Sequence, residues 1–228
     1  MSCSDRSGLL MIFFEYMPAL KKWAAFGLSG VGLILIMPRV YAAPVQGYVM
    51  VIQMTPAVCM LDTHSSKKRK CLEGYALNIS GLYPETSKTD CKTNSSAELS
   101  PLQAKVVARV MPDGNTRLQL WRSIGGCVPM NASQYFRTVI NYAERLKIPS
   151  ELTSPETRTI QLTEFRSQFL RLNPTLPSQA LRFNCAAIQQ NTILTEVKLC
   201  YKTNGQYKQC SVTVDTNCPA SFTIKGSY

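Results

Sequence analysis

The chain has one histidine, His64, and nine cysteines. Imidazole is the side chain that moves protons near neutral pH, so acid–base chemistry is the first thing to ask of it. A reaction needing a general acid and a general base at separate places cannot draw both from one ring. His64 also stands among Ser65, Ser66 and Lys67, in a polar run that reads as an exposed loop. The cysteines allow two chemistries. Zinc sites favour closely spaced ligand pairs, and the sequence has no C-x-x-C pair and no second His, so no metal site and no cofactor are expected. Oxidation fits better. With Cys3 set apart, an even set remains: Cys59, Cys71, Cys91, Cys127, Cys185, Cys200, Cys210 and Cys218. In an exported domain such a set reads as four disulfides, with the pairing left open.

Charge supplies a third candidate. The formal net charge is +11, and Lys67-Lys68-Arg69-Lys70 is a compact basic cluster. Such a surface favours acidic partners, namely nucleic acid, anionic lipid or polysaccharide, through counterion release. No aromatic residue interleaves the cluster to stack bases, so a solvated loop is the plainer reading.

Residues 1–42 read as a secretory signal peptide. Lys21-Lys22 precede an apolar run from Trp23 to Met37, Pro38 ends it, and Val40-Tyr41-Ala42 supplies a cleavage site. Asp5 and Glu15 sit where positive charge is expected, which makes Met11 or Met17 an alternative start. The run is shorter than the ~20 residues of a spanning helix, so no stable membrane span is expected after cleavage. Residues 43–228 then form one domain, with no composition shift to mark a second.

Within it, Tyr48–Met54 predicts a core strand ending at Thr55-Pro56, and Tyr75–Ile79 a second strand. Ser100-Pro101 opens a short helix through Val110, and Asp113-Gly114 is a turn signal. Arg117–Arg122 alternates as a third strand. Tyr135, Val139, Tyr142 and Leu146 give Ala132–Leu146 one apolar helical face, and Thr163–Leu172 predicts another helix before Asn173-Pro174. Ala180–Cys185, Ile193–Tyr201 and Tyr207–Val214 predict strands, the last two joined at an Asn204-Gly205 hairpin turn. The mixed order predicts an α+β domain with a largely antiparallel sheet.

Five segments carry a resemblance. Tyr48-Val-Met-Val-Ile-Gln-Met-Thr-Pro-Ala-Val-Cys59 resembles the opening strand of the ribonuclease T2 family. Ile79-Ser-Gly-Leu-Tyr-Pro-Glu85 resembles its first catalytic segment, I-H-G-L-W-P, and Trp121-Arg-Ser-Ile-Gly-Gly-Cys127 followed by Tyr135-Phe136 its second, H-E-W-x-K-H-G-T-C. Phe169-Leu-Arg-Leu-Asn-Pro174 and Leu194-Thr-Glu-Val-Lys-Leu-Cys200 are similar to its F-x-x-x-N-P and L-x-E-V-x-I-C stretches. The resemblance implies a ribonuclease T2-like fold, an antiparallel sheet core with packed helices. It also implies the pairs Cys59–Cys71, Cys91–Cys127, Cys185–Cys218 and Cys200–Cys210.

It further implies where catalysis would sit, and there the residues differ. Ser80 stands at the first catalytic His, Ile124 at the second, Ser123 at the Lys, Leu120 at the Glu and Gln119 at a further His. Each positioned acid or base contributes ~10²–10⁴ in rate, and none of these replacements titrates near neutrality. Apolar Leu120 and Ile124 imply a drier, less anion-friendly cleft, and Tyr83, beside Pro84, is expected to pack in the core. An inactive ribonuclease homologue is therefore expected. Its role is read as a non-enzymatic interaction or structural protein of the bacterial envelope, periplasmic or secreted, with protein partners such as the other subunits of a secretion-system core complex. The alternatives are a basic RNA or polyanion binder acting through Lys67, Lys68, Arg69 and Lys70, and a weak ribonuclease of altered mechanism.

Overall fold

Strand β1, Gly47–Met54, explains the first apolar run. Its side chains alternate between two buried faces. Tyr48, Met50, Ile52 and Met54 enter the main core, while Val49 and Val51 meet Cys200 and Cys210 on the other side. A strand covered on both faces needs no polar alternation. The computed structural model describes residues 44–62, 64, 67–188 and 190–227, so the signal-peptide reading and the alternative starts lie outside the described residues.

β1 pairs antiparallel with β2, Leu77–Glu85, on one side and with β5, Asn191–Tyr201, on the other. β5 also pairs antiparallel with β4, Leu181–Ile188, and touches β6, Ser221–Ile224, through one parallel register pair. β6 in turn pairs antiparallel with β3, Arg158–Gln161. The six strands form one mixed, largely antiparallel sheet within a compact unit spanning Tyr41–Tyr228. β2 lies at the sheet edge, which is why Pro84, lacking an N–H, is tolerated inside a strand.

Six helices complete the α+β fold. Thr55-Pro56 ends β1 by opening helix α1, Thr55–Leu61, and α2 is the single turn Arg69–Leu72. Helix α3, Pro101–Val107, starts as the sequence predicts, with the Gln103 N–H donating to Ser100 Oγ at 3.3 Å. Helix α5, Ala132–Arg145, carries a capping box in which Asn131 and Gln134 bond each other's backbone N–H. Helix α6, Leu162–Leu172, buries Phe165 and Phe169 against Phe183 and Phe222, with ring centroids 5.2 to 6.0 Å apart.

Two expected strands are not strands. Arg117–Arg122 lies inside helix α4, Gly114–Ile124, where Leu120, Trp121 and Ile124 make one buried helical stripe. Leu118 and Leu120 do alternate with polar neighbours. Burial of the adjacent pair Leu120 and Trp121 and then of Ile124, with Arg122 and Ser123 exposed between them, fits a helix and not a strand. Asp113 stands at the helix entry, and its Oδ1 accepts from the Arg69 N–H at 2.9 Å. Tyr207–Val214 forms only an isolated bridge, Tyr201 to Tyr207. The turn before it is real, with Gly205 at φ +84 and its N–H donating to Lys202 O at 3.0 Å. Beyond Tyr207 the chain is drawn toward β4. Cys210 N–H donates to Gln179 O at 3.0 Å, and Thr216 and Asn217 bond the backbone of Phe183 and Cys185.

The cysteines form Cys59–Cys71, Cys91–Cys127, Cys185–Cys218 and Cys200–Cys210, the four pairs that the resemblance implies. No helix of the described residues is long and apolar enough to cross a membrane.

Candidate functional site

Ser80 sits at a break in a ladder. Val51 pairs with Gly81 and Ile52 with Ile79, so Ser80 is the extra residue of a β-bulge in β2. Bulges turn a side chain out of the regular alternation, a common device beside active sites. Ser80 Oγ donates to Val51 O at 3.4 Å, and the Ile79 N–H reaches across the outer edge to Val110 O at 2.8 Å.

Helix α4 lies over this segment. A Cβ placed on Gly81 would come within 3.0 Å of both Leu120 Cδ1 and the Tyr83 ring, so these two side chains close on the strand next to Ser80. The fold thus brings Ser80 near Leu120. It splits Gln119, Leu120, Ser123 and Ile124 of α4 between two faces, four residues apart in each case. Leu120 and Ile124 are only 6% and 7% exposed and belong to the core, not to an open cleft wall. Gln119 and Ser123 face solvent, Ser123 Oγ donating to the Leu120 carbonyl at 2.7 Å. Tyr83, expected in the core, is exposed at 36% because the edge strand turns it outward.

The end of α4 is held from three directions. Trp121 Nε1 donates to Ser95, Thr93 N–H donates to Arg122 O at 2.9 Å, and Cys91 is bonded to Cys127. Gly126 allows the closest approach, since a Cβ there would lie 2.5 Å from Lys92 O. Its N–H donates to Cys91 O at 2.8 Å, and Lys88 Nζ donates to its carbonyl at 2.9 Å. The end of α4 is therefore fixed by side-chain and backbone hydrogen bonds and a disulfide. Ser80, Gln119, Leu120, Ser123 and Ile124 offer hydroxyls, an amide and aliphatics, a set that binds by hydrogen bonding and packing.

The basic cluster divides. Lys70 is 5% exposed and donates to Gln53 Oε1 at 2.9 Å, and burial lowers its pKa. Arg69 is held by Glu73 at 2.6 Å. Of the four residues expected at a polyanion surface, Lys67 and Lys68 remain exposed with neither constraint, and His64 is an exposed turn residue. Among the described residues no group of His, Cys, Asp and Glu is arranged to hold a metal ion.

Solved structures with the same arrangement of elements are ribonucleases and an RNase-related protein. RNase MC1 from the seeds of bitter gourd superposes with a TM-score of 0.60 at 18% identity, over 78% of this chain and 98% of that one. This chain has the ribonuclease T2 fold. The self-incompatibility-associated SF11-RNase of Nicotiana alata matches at TM-score 0.61 and 14% identity, over 80% of this chain and 98% of its own. An RNase-related protein from Calystegia sepium matches at TM-score 0.60 and 13% identity, over 78% and 96%. No protein-family model matches the sequence, and no curated protein does.

Sequence reasoning missed two features of this region. The bulge at Ser80 depends on pairing with β1 and has no local signature. The clamp of Tyr135 on β2, its hydroxyl bonded to the N–H and the carbonyl of Leu82, had one: a tyrosine at a core position of α5 must find a partner for its hydroxyl.

Proposed function

We propose that this chain is a ribonuclease T2 scaffold that no longer cleaves RNA and acts as an exported interaction subunit in the cell envelope. One observation carries the reading. By the family resemblance Ser80 and Ile124 stand at the positions of the two catalytic histidines, and Ile124 is buried in the core. A site with neither proton relay, and with Leu120 and Ser123 in place of its charged groups, lacks what stabilises the transition state of phosphate transfer. What is kept is the stapled framework, and four disulfides suit an oxidising, extracytoplasmic compartment. A rigid scaffold retained without its chemistry is suited to holding partners, and an outer-membrane-associated or secretion-system assembly is the setting we assign. The polyanion reading is weaker, because Lys70 and Arg69 are already engaged within the fold.

Two measurements test this. Purified protein should leave a generic RNA substrate uncut under conditions where an active T2 ribonuclease digests it; cleavage that copurifies with the protein and is lost on its depletion would overturn the reading. Native mass measurement after gentle extraction from its own envelope should find the chain in a larger complex, and a lone monomer would count against the subunit role.

A further inference from the structure

A cavity of about 690 Å³ opens where the end of α5, the Asn173-Pro174-Thr175 segment and the Lys202–Tyr207 turn meet. None of Ser80, Gln119, Leu120, Ser123 and Ile124 lines it. Its wall is a ladder of tyrosines. The Tyr142 and Tyr201 rings stack with centroids 4.4 Å apart and planes at 28°, and Tyr207 continues the stack at 5.0 Å from Tyr201. The Arg145 guanidinium caps the far end, 5.2 Å from the Tyr142 centroid, and Lys147 adds a second exposed cation to the lining. The Tyr201 hydroxyl is sealed from solvent beside that of Tyr207 yet lacks a well-formed hydrogen bond. Burial raises the pKa of all three phenols, so they stay neutral and able to donate. Glu144, the nearest acid along α5, lines a different depression with Val106 and Arg109.

The geometry points to a binding site for an acidic sugar unit, a saccharide carrying a carboxylate or a phosphate. The volume falls within the range of small-ligand sites, ~300–1,000 Å³. Half-buried Tyr207, backed by the buried Tyr142 and Tyr201 rings, offers both a flat apolar surface and a hydroxyl that can exchange hydrogen bonds with sugar hydroxyls. Arg145 spends its Nε on Asn141 O at 3.0 Å and keeps its other nitrogens for an anion, which guanidinium holds with two parallel bonds. A nucleobase fits less well. Of the two amides in the wall, Asn173 has its Nδ2 on Lys147 O and Phe169 O and its Oδ1 on Lys147 N–H, and Gln206 has its Oε1 held by Asn204 Nδ2 at 3.3 Å, so neither presents an unengaged donor–acceptor pair to a base edge. The assignment is independent of whether RNA is cleaved, since it uses none of the T2 catalytic positions.

The test is calorimetric titration of the mature protein with digalacturonic acid, glucose 1-phosphate, maltose and 5′-UMP. At least one of the two acids should bind saturably below ~10 mM and at least ~10-fold more tightly than maltose, and the preferred acid identifies carboxylate or phosphate as the anion. The Arg145→Gln, Lys147→Gln double variant alters exposed side chains only and should weaken that acid ~10-fold with no change in thermal unfolding. The variant Lys67→Gln, Lys68→Gln should bind as the parent does. Maltose binding as well as the acids, indifference to the Arg145 and Lys147 changes, or no saturable binding of either acid would overturn the site. Tighter binding of 5′-UMP than of both acids would overturn the sugar assignment.

Discussion

The Tyr135 hydroxyl closes on both backbone polar groups of Leu82, accepting from its N–H at 2.9 Å and donating to its carbonyl at 3.2 Å. β2 is an edge strand, so at Leu82 the outward N–H and C=O have no neighbouring strand to meet. A buried side chain on α5 takes that place, two residues past the bulge at Ser80. Burial drives the phenol's pKa well above the ordinary tyrosine value, so it remains protonated and able to donate at any physiological pH.

Tyr135→Phe should therefore destabilise the fold by ~1–3 kcal/mol, the cost of leaving buried backbone groups without partners. Urea denaturation followed by far-UV circular dichroism would measure it. An unchanged midpoint would mean that water replaces the hydroxyl.

Introducing histidines at positions 80 and 124 should have unequal costs. Ser80→His places a ring on an edge-strand bulge and should be nearly neutral for stability. Ile124→His puts ring nitrogens where a core aliphatic packs, and should cost ~2 kcal/mol or more. Thermal unfolding of the two single variants would show the difference, and equal shifts would argue against the core placement of residue 124.

The bond between Cys91 and Cys127 closes a separation of 36 residues and ties the end of α4 to the loop before α3. Replacing both by Ala should cost ~4 kcal/mol by loop-closure entropy. Limited proteolysis of the variant should begin between residues 86 and 100, a segment without regular secondary structure. Cleavage beginning elsewhere would show that other contacts hold the loop.

Asp215 gives the acid dependence a sign. Hydrogen bonding from Lys198 lowers its pKa, with Asn184 adding a second bond. A carboxyl depressed in the folded state contributes stability that is fully present above its unfolded value, near ~3.9, and lost as pH falls through its folded value. Asp215→Asn should therefore be less stable than the parent at neutral pH, and the gap should close below about pH 4. The side chain is largely exposed, so the gap should be small and shrink with salt.

Much of the fold is legible along the chain. β-rich runs and turn residues placed β1, β4 and β5, periodicity placed α5 and α6, and Ser100-Pro101 placed the start of α3, because each signal is local in sequence. The candidate site was legible as residue identity: Ser80, Leu120, Ser123 and Ile124 read directly as groups that do not titrate. Where alternation was short it misled, as in Arg117–Arg122, whose helical form depends on packing Trp121 and Ile124 together beneath the loop at Ser95.

By itself, then, the sequence determined the chemistry available, one histidine and an even set of eight cysteines, and the local elements that hydrogen-bond within themselves. Tertiary structure alone decided which groups are free to act. It buried Lys70 against Gln53, turned Tyr83 out to solvent, sank Ile124 into the core and stacked Tyr142 on Tyr201 across 59 positions of sequence. Burial and charge pairing arise between segments far apart in the chain, and no local pattern encodes them.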